Sequence, residues 1–116
     1  MSNIANIALT ALNAFEEKAS IIANNIANVN TDGFKKSRAV IKEMAPYGVS
    51  VSAERVNTPG EIVNIGGGKQ GERETSNVNL EEELIALMMN QNNYEANFKT
   101  VKATDELRGT LFDILV

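Results

Sequence analysis

The first thirty residues carry an unbroken apolar heptad, and this pattern constrains the fold more than any other feature of the chain. Apolar side chains recur at alternating intervals of three and four residues, at Ala5, Ala8, Leu12, Phe15, Ala19, Ile22, Ile26 and Val29. Such spacing places all of them on one face of an α-helix and is typical of left-handed helix pairing. We therefore predict a long helix from about residue 3 to residue 29, with its apolar face against a partner helix.

A second region, from about residue 79 to residue 115, has the same kind of spacing. Its line of positions runs through Leu80, Leu84, Leu87, Gln91, Tyr94, Phe98 and Val101. The next positions on that register, Asp105 and Arg108, are charged, and apolar residues resume at Leu107, Leu111 and Ile114. The sequence therefore predicts a second long helix whose apolar seam drifts near Thr104, which is either a stutter or a change of partner.

The middle of the chain, from about residue 34 to residue 76, has strand and turn signals. Residues 49–53 alternate as a strand does, residues 61–65 read as a second strand, and Pro59-Gly60 between them is a turn signal. We expect a β-hairpin or a small sheet here, followed by a flexible connector over residues 66–71. The predicted fold is mainly α, with two long terminal amphipathic helices that pair as an α-helical coiled coil and a small β-hairpin-like insert between them.

Composition excludes most kinds of catalytic site. The chain has no Cys and no His among its 116 residues, which removes thiol and imidazole catalysis, disulfides and Cys/His zinc sites. The net charge is −4 and basic residues are scattered apart from a cluster at residues 35–42, so we expect no nucleic-acid partner. No apolar run reaches the roughly 18 to 20 residues of a membrane span, and we expect neither membrane insertion nor a cleaved signal peptide.

Two short motifs resemble ligand sites but have plainer explanations. Residues 28–33 have the N-x-N-x-D-G spacing that opens a calcium-binding loop, yet Ala39 stands where that loop needs a bidentate Glu. Residues 66–69 read Gly-Gly-Gly-Lys without the Ser or Thr and the strand-to-helix context of a phosphate-binding loop. We therefore expect no metal ion, no cofactor and no catalytic residues.

Four asparagines crowd the end of the first helix and precede a glycine and a phenylalanine: Asn24, Asn25, Asn28, Asn30, Gly33 and Phe34. Asn is a mediocre helix former because its side chain competes for backbone hydrogen bonds. One interpretation is an ordinary helix end with solvated amides, in which Gly33 takes a left-handed backbone. The other is that at least one of the first three amides bonds across a subunit contact and fixes its register.

The segment from Asn24 to Lys35 reads NNIANVNTDGFK and resembles the "NNIANVNTxGFK" signature of bacterial flagellar rod and hook proteins. The second half of the chain resembles the C-terminal signature of that family at residues 75–84, 94–97 and 103–107. The larger middle domain of the distal rod and hook proteins has no counterpart between the two signatures. The chain thus resembles a small member of the flagellar basal-body rod protein family.

The resemblance implies a role in assembly. Rod and hook subunits pair their N- and C-terminal helices to line a hollow tube that crosses the periplasm, and they pass unprocessed through the flagellar type III export apparatus. It implies that the partners are further copies and other rod or hook subunits, and that residues 1–33, 34–76 and 77–116 are the N-terminal axial helix with its turn, the insert and the C-terminal axial helix. The expected contact residues are those of the two helix seams: Leu12, Phe15, Ile22, Ile26, Val29, Leu84, Leu87, Tyr94, Phe98 and Val101. The asparagine-rich turn, from Asn24 to Phe34, is expected to act with them.

Two alternatives remain open from the sequence. Apolar seams of this kind also suit a soluble helical hairpin, which would bind rod subunits as an export or assembly factor without joining the tube. The basic cluster Lys35, Lys36 and Arg38 is either a solvated face or a contact for acidic residues such as Glu81 to Glu83 of a neighbouring subunit.

Overall fold

The computed structural model describes residues 2–115, which form two long antiparallel helices with a β region folded against the first. Helix α1 spans Ser2–Ala27 and helix α2 spans Leu80–Leu115. Hydrogen bonds from Asn25 to Glu83 and from Asn90 to Phe15 set the antiparallel direction. The predicted fold, mainly helical with two paired terminal helices around a small β insert, is confirmed.

The start of α2 is fixed by its cap. The side-chain oxygen of Asn79 accepts hydrogen bonds from the backbone N–H groups of Glu81 at 3.0 Å and Glu82 at 3.3 Å. This satisfies donors that have no partner inside the helix. The acidic residues Glu81, Glu82 and Glu83 occupy the first turn, where the helix dipole favours negative charge.

The chain between the helices forms two separate antiparallel pairs of strands. Strand β1 (Ser37–Glu43) pairs with β2 (Val49–Arg55), and this first hairpin packs along α1. Strand β3 (Ile62–Asn64) pairs with β4 (Glu72–Glu74), with a short 3-10 helix at Gly68–Gly71 in the loop between them.

The two expected strand segments, residues 49–53 and 61–65, do not pair with each other. The first of these segments lies in β2, but its partner is β1, which lacks a clear alternation of apolar and polar side chains. Pro59-Gly60 is not a hairpin turn, because the chain there passes directly beside Thr75. A Cβ on Gly60 would lie 1.9 Å from the Thr75 carbonyl oxygen, so glycine is required by the close approach of two backbones.

The glycine-rich run over residues 66–71 is likewise not a flexible connector. It closes the β3–β4 hairpin, in which the Ile65 N–H donates to the Gly71 carbonyl oxygen at 3.1 Å. Gly66, Gly67 and Gly68 have φ angles of +92°, +96° and +66°, a region that favours glycine. The link from this hairpin to α2 is instead the segment 75–79.

The core is thin and contains as many polar as apolar side chains. The buried apolar residues all belong to α1: Ala5, Ala8, Leu12, Ala14 and Ile22. The buried polar residues are Asn25, Ser76, Glu83, Asn90 and Thr104. The radius of gyration is 20.6 Å, against about 13 Å for a compact domain of this length. The molecule measures 81 × 25 × 13 Å, and many of its large apolar side chains are exposed.

Candidate functional site

Helix α1 has two packed faces, and each meets a different part of the molecule. Phe15 and Ala19 line a groove with α2, whereas Thr10 and Ala14 face the first hairpin. The hydroxyl oxygen of Thr10 accepts a hydrogen bond from the Val49 N–H at 3.2 Å, which ties the start of β2 to the middle of α1. The apolar face of α1 is therefore wide, because it packs against both α2 and the first hairpin.

Asn25 joins three elements at the end of α1. Its side chain is 1% exposed. The Oδ1 atom accepts from the Ser37 N–H at 3.0 Å, and Nδ2 donates to the Ser37 carbonyl oxygen at 2.8 Å and to Glu83 Oε2 at 3.3 Å. The amide thus connects α1 with the first residue of β1 and with the first turn of α2.

A second asparagine, Asn77, hydrogen-bonds to the backbone of Lys36, which directly precedes the Ser37 that Asn25 binds. Its Oδ1 accepts from the Lys36 N–H at 2.7 Å, and its Nδ2 donates to two carbonyl oxygens that follow β2, both at 2.9 Å. Two consecutive backbone N–H groups, those of Lys36 and Ser37, are therefore bound by side chains from opposite halves of the chain. We refer to Asn25, Asn77 and these two backbone groups as the asparagine joint.

The other predicted turn residues surround the joint without entering it. Asn28 donates to the Asn24 carbonyl oxygen at 2.9 Å, and Asn30 is exposed. Gly33 has a φ of +72° and its N–H donates to a carbonyl oxygen of β4 at 2.9 Å, while Phe34 is half-buried. Sequence reasoning did not single out Asn77, although it lies in the segment whose resemblance to the family was recognised.

The face of α2 that contacts α1 is polar. Glu83, Asn90 and Thr104 are exposed by 8%, 4% and 4%. Their spacing in multiples of seven residues places them on one line along the helix. Asn90 Nδ2 donates to the Phe15 carbonyl oxygen at 2.9 Å, and its Oδ1 has no partner within residues 2–115. Half-buried Asn97 lies on the same line, between Asn90 and Thr104. A search for polar residues at heptad spacing would have found this line.

The predicted apolar stripe of α2 flanks this polar line and takes part in the helix contact only in part. Because each residue advances the helix by 100°, the stripe is turned by roughly a quarter of a circle from the polar line. Leu84 is 46% exposed and Phe98 is 54% exposed, whereas Leu87, Tyr94 and Val101 are half-buried. The predicted α1 residues are less exposed, with Leu12 and Ile22 buried and Phe15, Ile26 and Val29 half-buried.

An open groove runs between the two helices on the side to which that stripe turns. Phe15, Glu16 and Ala19 line it from α1, and Leu87 and Tyr94 line it from α2, around a cavity of about 360 Å³. We call these residues the open groove. Its walls are apolar apart from a few polar groups, among which Glu16 carries a negative charge.

Helix α2 also extends past α1. In the antiparallel register set by Asn25 with Glu83 and by Phe15 with Asn90, Ser2 lies at the level of about residue 105. The segment Leu107–Leu115 therefore has no helix beside it within residues 2–115, and we call it the overhang. Its apolar side chains are exposed by 45% to 83%: Leu107, Leu111, Phe112, Ile114 and Leu115.

The basic cluster forms ion pairs within its own chain. Lys36 Nζ lies 3.7 Å from Glu82 Oε2, and Arg38 Nη2 lies 3.0 Å from Glu54 Oε2. Both pairs involve solvent-exposed groups, which contribute little to stability. Their place is on the flank of the asparagine joint.

Lys35 forms a further ion pair with Glu74, next to Gly60. The Lys35 ammonium group hydrogen-bonds the Glu74 carboxylate, and the Gly60 N–H donates to the same oxygen at 3.1 Å. These hydrogen bonds and the positive charge hold the pKa of Glu74 below its usual value.

Neither a metal site nor a membrane span was found in the part of the chain that the structure describes. Within residues 2–115, no three His, Cys, Asp or Glu side chains come together as a metal site requires. Neither α1 nor α2 combines the length and the apolarity that crossing a membrane demands.

Two family models match the chain, one on each helix. The model described as flagella basal body rod protein matches residues 6–35, and the model described as flagellar basal body rod FlgEFG protein C-terminal matches residues 69–114. The chain belongs to the flagellar basal-body rod protein family. In this rod-family chain, Asn25 and Asn77 both lie in matched segments, and the hairpin of β1 and β2 lies between them.

Similar proteins are themselves rod and hook proteins. The flagellar basal-body rod protein FlgG of Buchnera aphidicola subsp. Baizongia pistaciae is 42% identical over 57 residues, which are 46% of this chain and 22% of the relative. FlgG of Bacillus subtilis is 53% identical over 36 residues, 31% of this chain and 14% of the relative. The flagellar hook protein FlgE of Salmonella typhimurium is 26% identical over 148 aligned residues, 95% of this chain and 36% of the relative.

This rod-family chain spans between 14% and 36% of the length of those three relatives. The alignment with the hook protein is longer than the chain's 116 residues, so the relative has residues there that this chain lacks. These homologues support a rod-type structural role, and the expectation from the sequence motifs that the chain is a family member is confirmed.

Proposed function

We propose that this chain is a structural subunit of the bacterial flagellar basal-body rod, which self-assembles through α1 and α2 into the axial tube. One observation carries the proposal. The apolar side chains of α2 are mostly exposed in the single chain: Leu84 and Phe98 on the side of the open groove, Ile85, Met88 and Met89 on other sides of the helix, and those of the overhang. Large apolar side chains exposed in such number are typical of a surface that other subunits cover.

The magnitudes are consistent with assembly. Burying one exposed Leu or Phe side chain contributes about 1.5 to 3 kcal/mol. Association costs on the order of 4 to 15 kcal/mol in lost freedom of motion. Several such side chains per contact, repeated at each subunit, are therefore enough for a stable polymer.

The proposal names partners and a location. The partners are further copies of this chain and other rod or hook subunits, and the chain reaches them through the flagellar type III export apparatus. The assembled tube crosses the periplasm. The subunit acts without catalysis or a cofactor, and neither nucleic acid nor the membrane interior is among its partners.

Deleting the gene and imaging isolated basal bodies tests the proposal. We expect loss of swimming with truncated or absent rods, restoration by the wild-type chain, and the chain itself among the proteins of the purified rods. Complete rods and normal motility in the deletion strain would contradict it. So would restored rods from which the chain is absent.

A second candidate is an interaction module that binds rod subunits without joining the tube. It is favoured by the asparagine joint and by the bond from Asn90 to Phe15, since these close the helix pair inside one chain. A folded monomer or a small closed oligomer at micromolar concentration, together with absence from purified rods, would support this candidate instead of the first.

A further inference from the structure

We propose that the overhang of one copy docks into the open groove of the next copy, an inference that rests on the proposed function and specifies one of its contacts. The overhang offers an apolar helical face that α1 does not reach. The open groove offers apolar walls from Phe15, Ala19, Leu87 and Tyr94 that nothing fills in the single chain. The occupant we assign to the groove is therefore a second copy of this chain.

The two surfaces agree in length. The overhang, Leu107–Leu115, is about 14 Å long, and the α2 wall of the open groove, from Leu87 to Tyr94, extends over about 12 Å. Phe112 is the largest apolar side chain of the overhang and is 72% exposed, so the described residues 2–115 leave it largely uncovered.

The two surfaces are also complementary in charge. Arg108 precedes Leu111 by three residues and Phe112 by four, so it lies on the apolar face of the overhang. Glu16 lies in the wall of the open groove. Neither Arg108 nor Glu16 takes part in the ion pairs of residues 2–115, and both side chains are exposed. An arginine carried by an apolar helix face is matched by a carboxylate in an apolar groove.

The contact has a consequence for the shape of the assembly. Leu111 lies 21 residues after Asn90, so docking the overhang at the level of Asn90 shifts the next copy by about 30 Å along the helix axis. The overhang and the open groove are different surfaces. A pair of docked copies therefore still has one unoccupied overhang and one unoccupied groove, to which further copies can bind. Such a head-to-tail contact extends without closing, unlike the symmetric contact of a dimer.

Charge reversal on the purified chain tests this contact. Analytical ultracentrifugation over a concentration series measures the concentration at which open-ended oligomers form. We expect Arg108→Glu and Glu16→Arg each to raise that concentration by about tenfold or more, and the double variant to recover most of the loss. Lys99→Glu, an exposed charge change on the opposite side of α2, is the matched control and should leave it unchanged.

Phe112→Ala is the apolar arm of the same experiment and should also raise the concentration by about tenfold or more. Unchanged far-UV circular dichroism shows that each variant still folds. A wild-type chain that stays monomeric, a closed dimer indifferent to Glu16→Arg, or no recovery in the double variant would overturn the proposed contact. If the Arg108→Glu variant is present in purified rods in the same amount as the wild-type chain, the proposed contact is overturned and the rod-subunit proposal stands. Absence of the wild-type chain from purified rods would overturn the rod-subunit proposal itself.

Discussion

Replacing Asn25 with alanine should strongly destabilise the chain, although the substitution removes only a small side chain. The side chain is 1% exposed and makes three hydrogen bonds, two to the backbone of Ser37 and one to Glu83. Alanine removes all three and supplies no polar group in their place. The Ser37 N–H and carbonyl groups and the Glu83 carboxylate then lose partners at the point where α1, β1 and α2 meet.

The expected loss follows from the cost of unpaired polar groups. A buried donor or acceptor left without a partner costs about 1 to 3 kcal/mol, and more when the group is charged. Ser37 is only half-buried, so water will replace part of what Asn25 supplied. We therefore expect Asn25→Ala to lower the free energy of unfolding by about 2 to 4 kcal/mol.

Urea unfolding followed by circular dichroism measures this difference. Asn30→Ala is the matched control, because Asn30 belongs to the same turn but is exposed and makes no side-chain hydrogen bond within residues 2–115. It should stay within about 0.5 kcal/mol of wild type. Equal stability of the two variants would refute the structural role assigned to Asn25.

Three further perturbations have definite expected outcomes. Gly60→Ala places a Cβ 1.9 Å from the Thr75 carbonyl oxygen, so its unfolding midpoint in urea should fall, and an unchanged midpoint would contradict the close approach. Because the pKa of Glu74 is lowered by Lys35, the stability from this pair is present at neutral pH and lost as the pH falls below 4.5. An acid titration of Glu74→Gln should lack that loss, and an unaltered profile would count against the pair. Leu87→Asp should abolish incorporation into basal bodies, scored by immunoblot, since it puts a charge into the open groove.

The two helices were predictable because their apolar residues repeat with the period of a helix. The α1 seam from Ala5 to Val29 is continuous, and the resulting helix ends at Ala27, two residues from the expected end. The end of α1 could also be located, since the asparagine-rich turn is a local signal. The role of Asn25 was not predicted: its amide is neither solvated nor shown to cross a subunit contact, but is buried against partners 12 and 58 residues away in its own chain, which no local pattern reveals.

The strand pairing in the β region and the contact face of α2 could not be predicted from apolar periodicity. Gly60 looks like a turn residue, but it is fixed by a tertiary approach to Thr75 that no local pattern reveals. On α2 the strongest apolar stripe was taken for the helix contact, whereas the single chain uses the polar line with Glu83, Asn90 and Thr104. An apolar stripe that the intrachain contact covers only in part is what an assembling subunit needs, which agrees with the proposed function.

In the proposed rod, a neighbouring subunit covers the exposed apolar stripe of α2. The chain has no Cys, so Phe98→Cys introduces a single thiol at a position that is 54% exposed in the single chain. Maleimide labelling should be rapid in the free protein and strongly slowed in purified basal bodies, with the same basal bodies after denaturation as the reference for full reactivity. A thiol in purified basal bodies that reacts as fast as in the free protein would contradict the account.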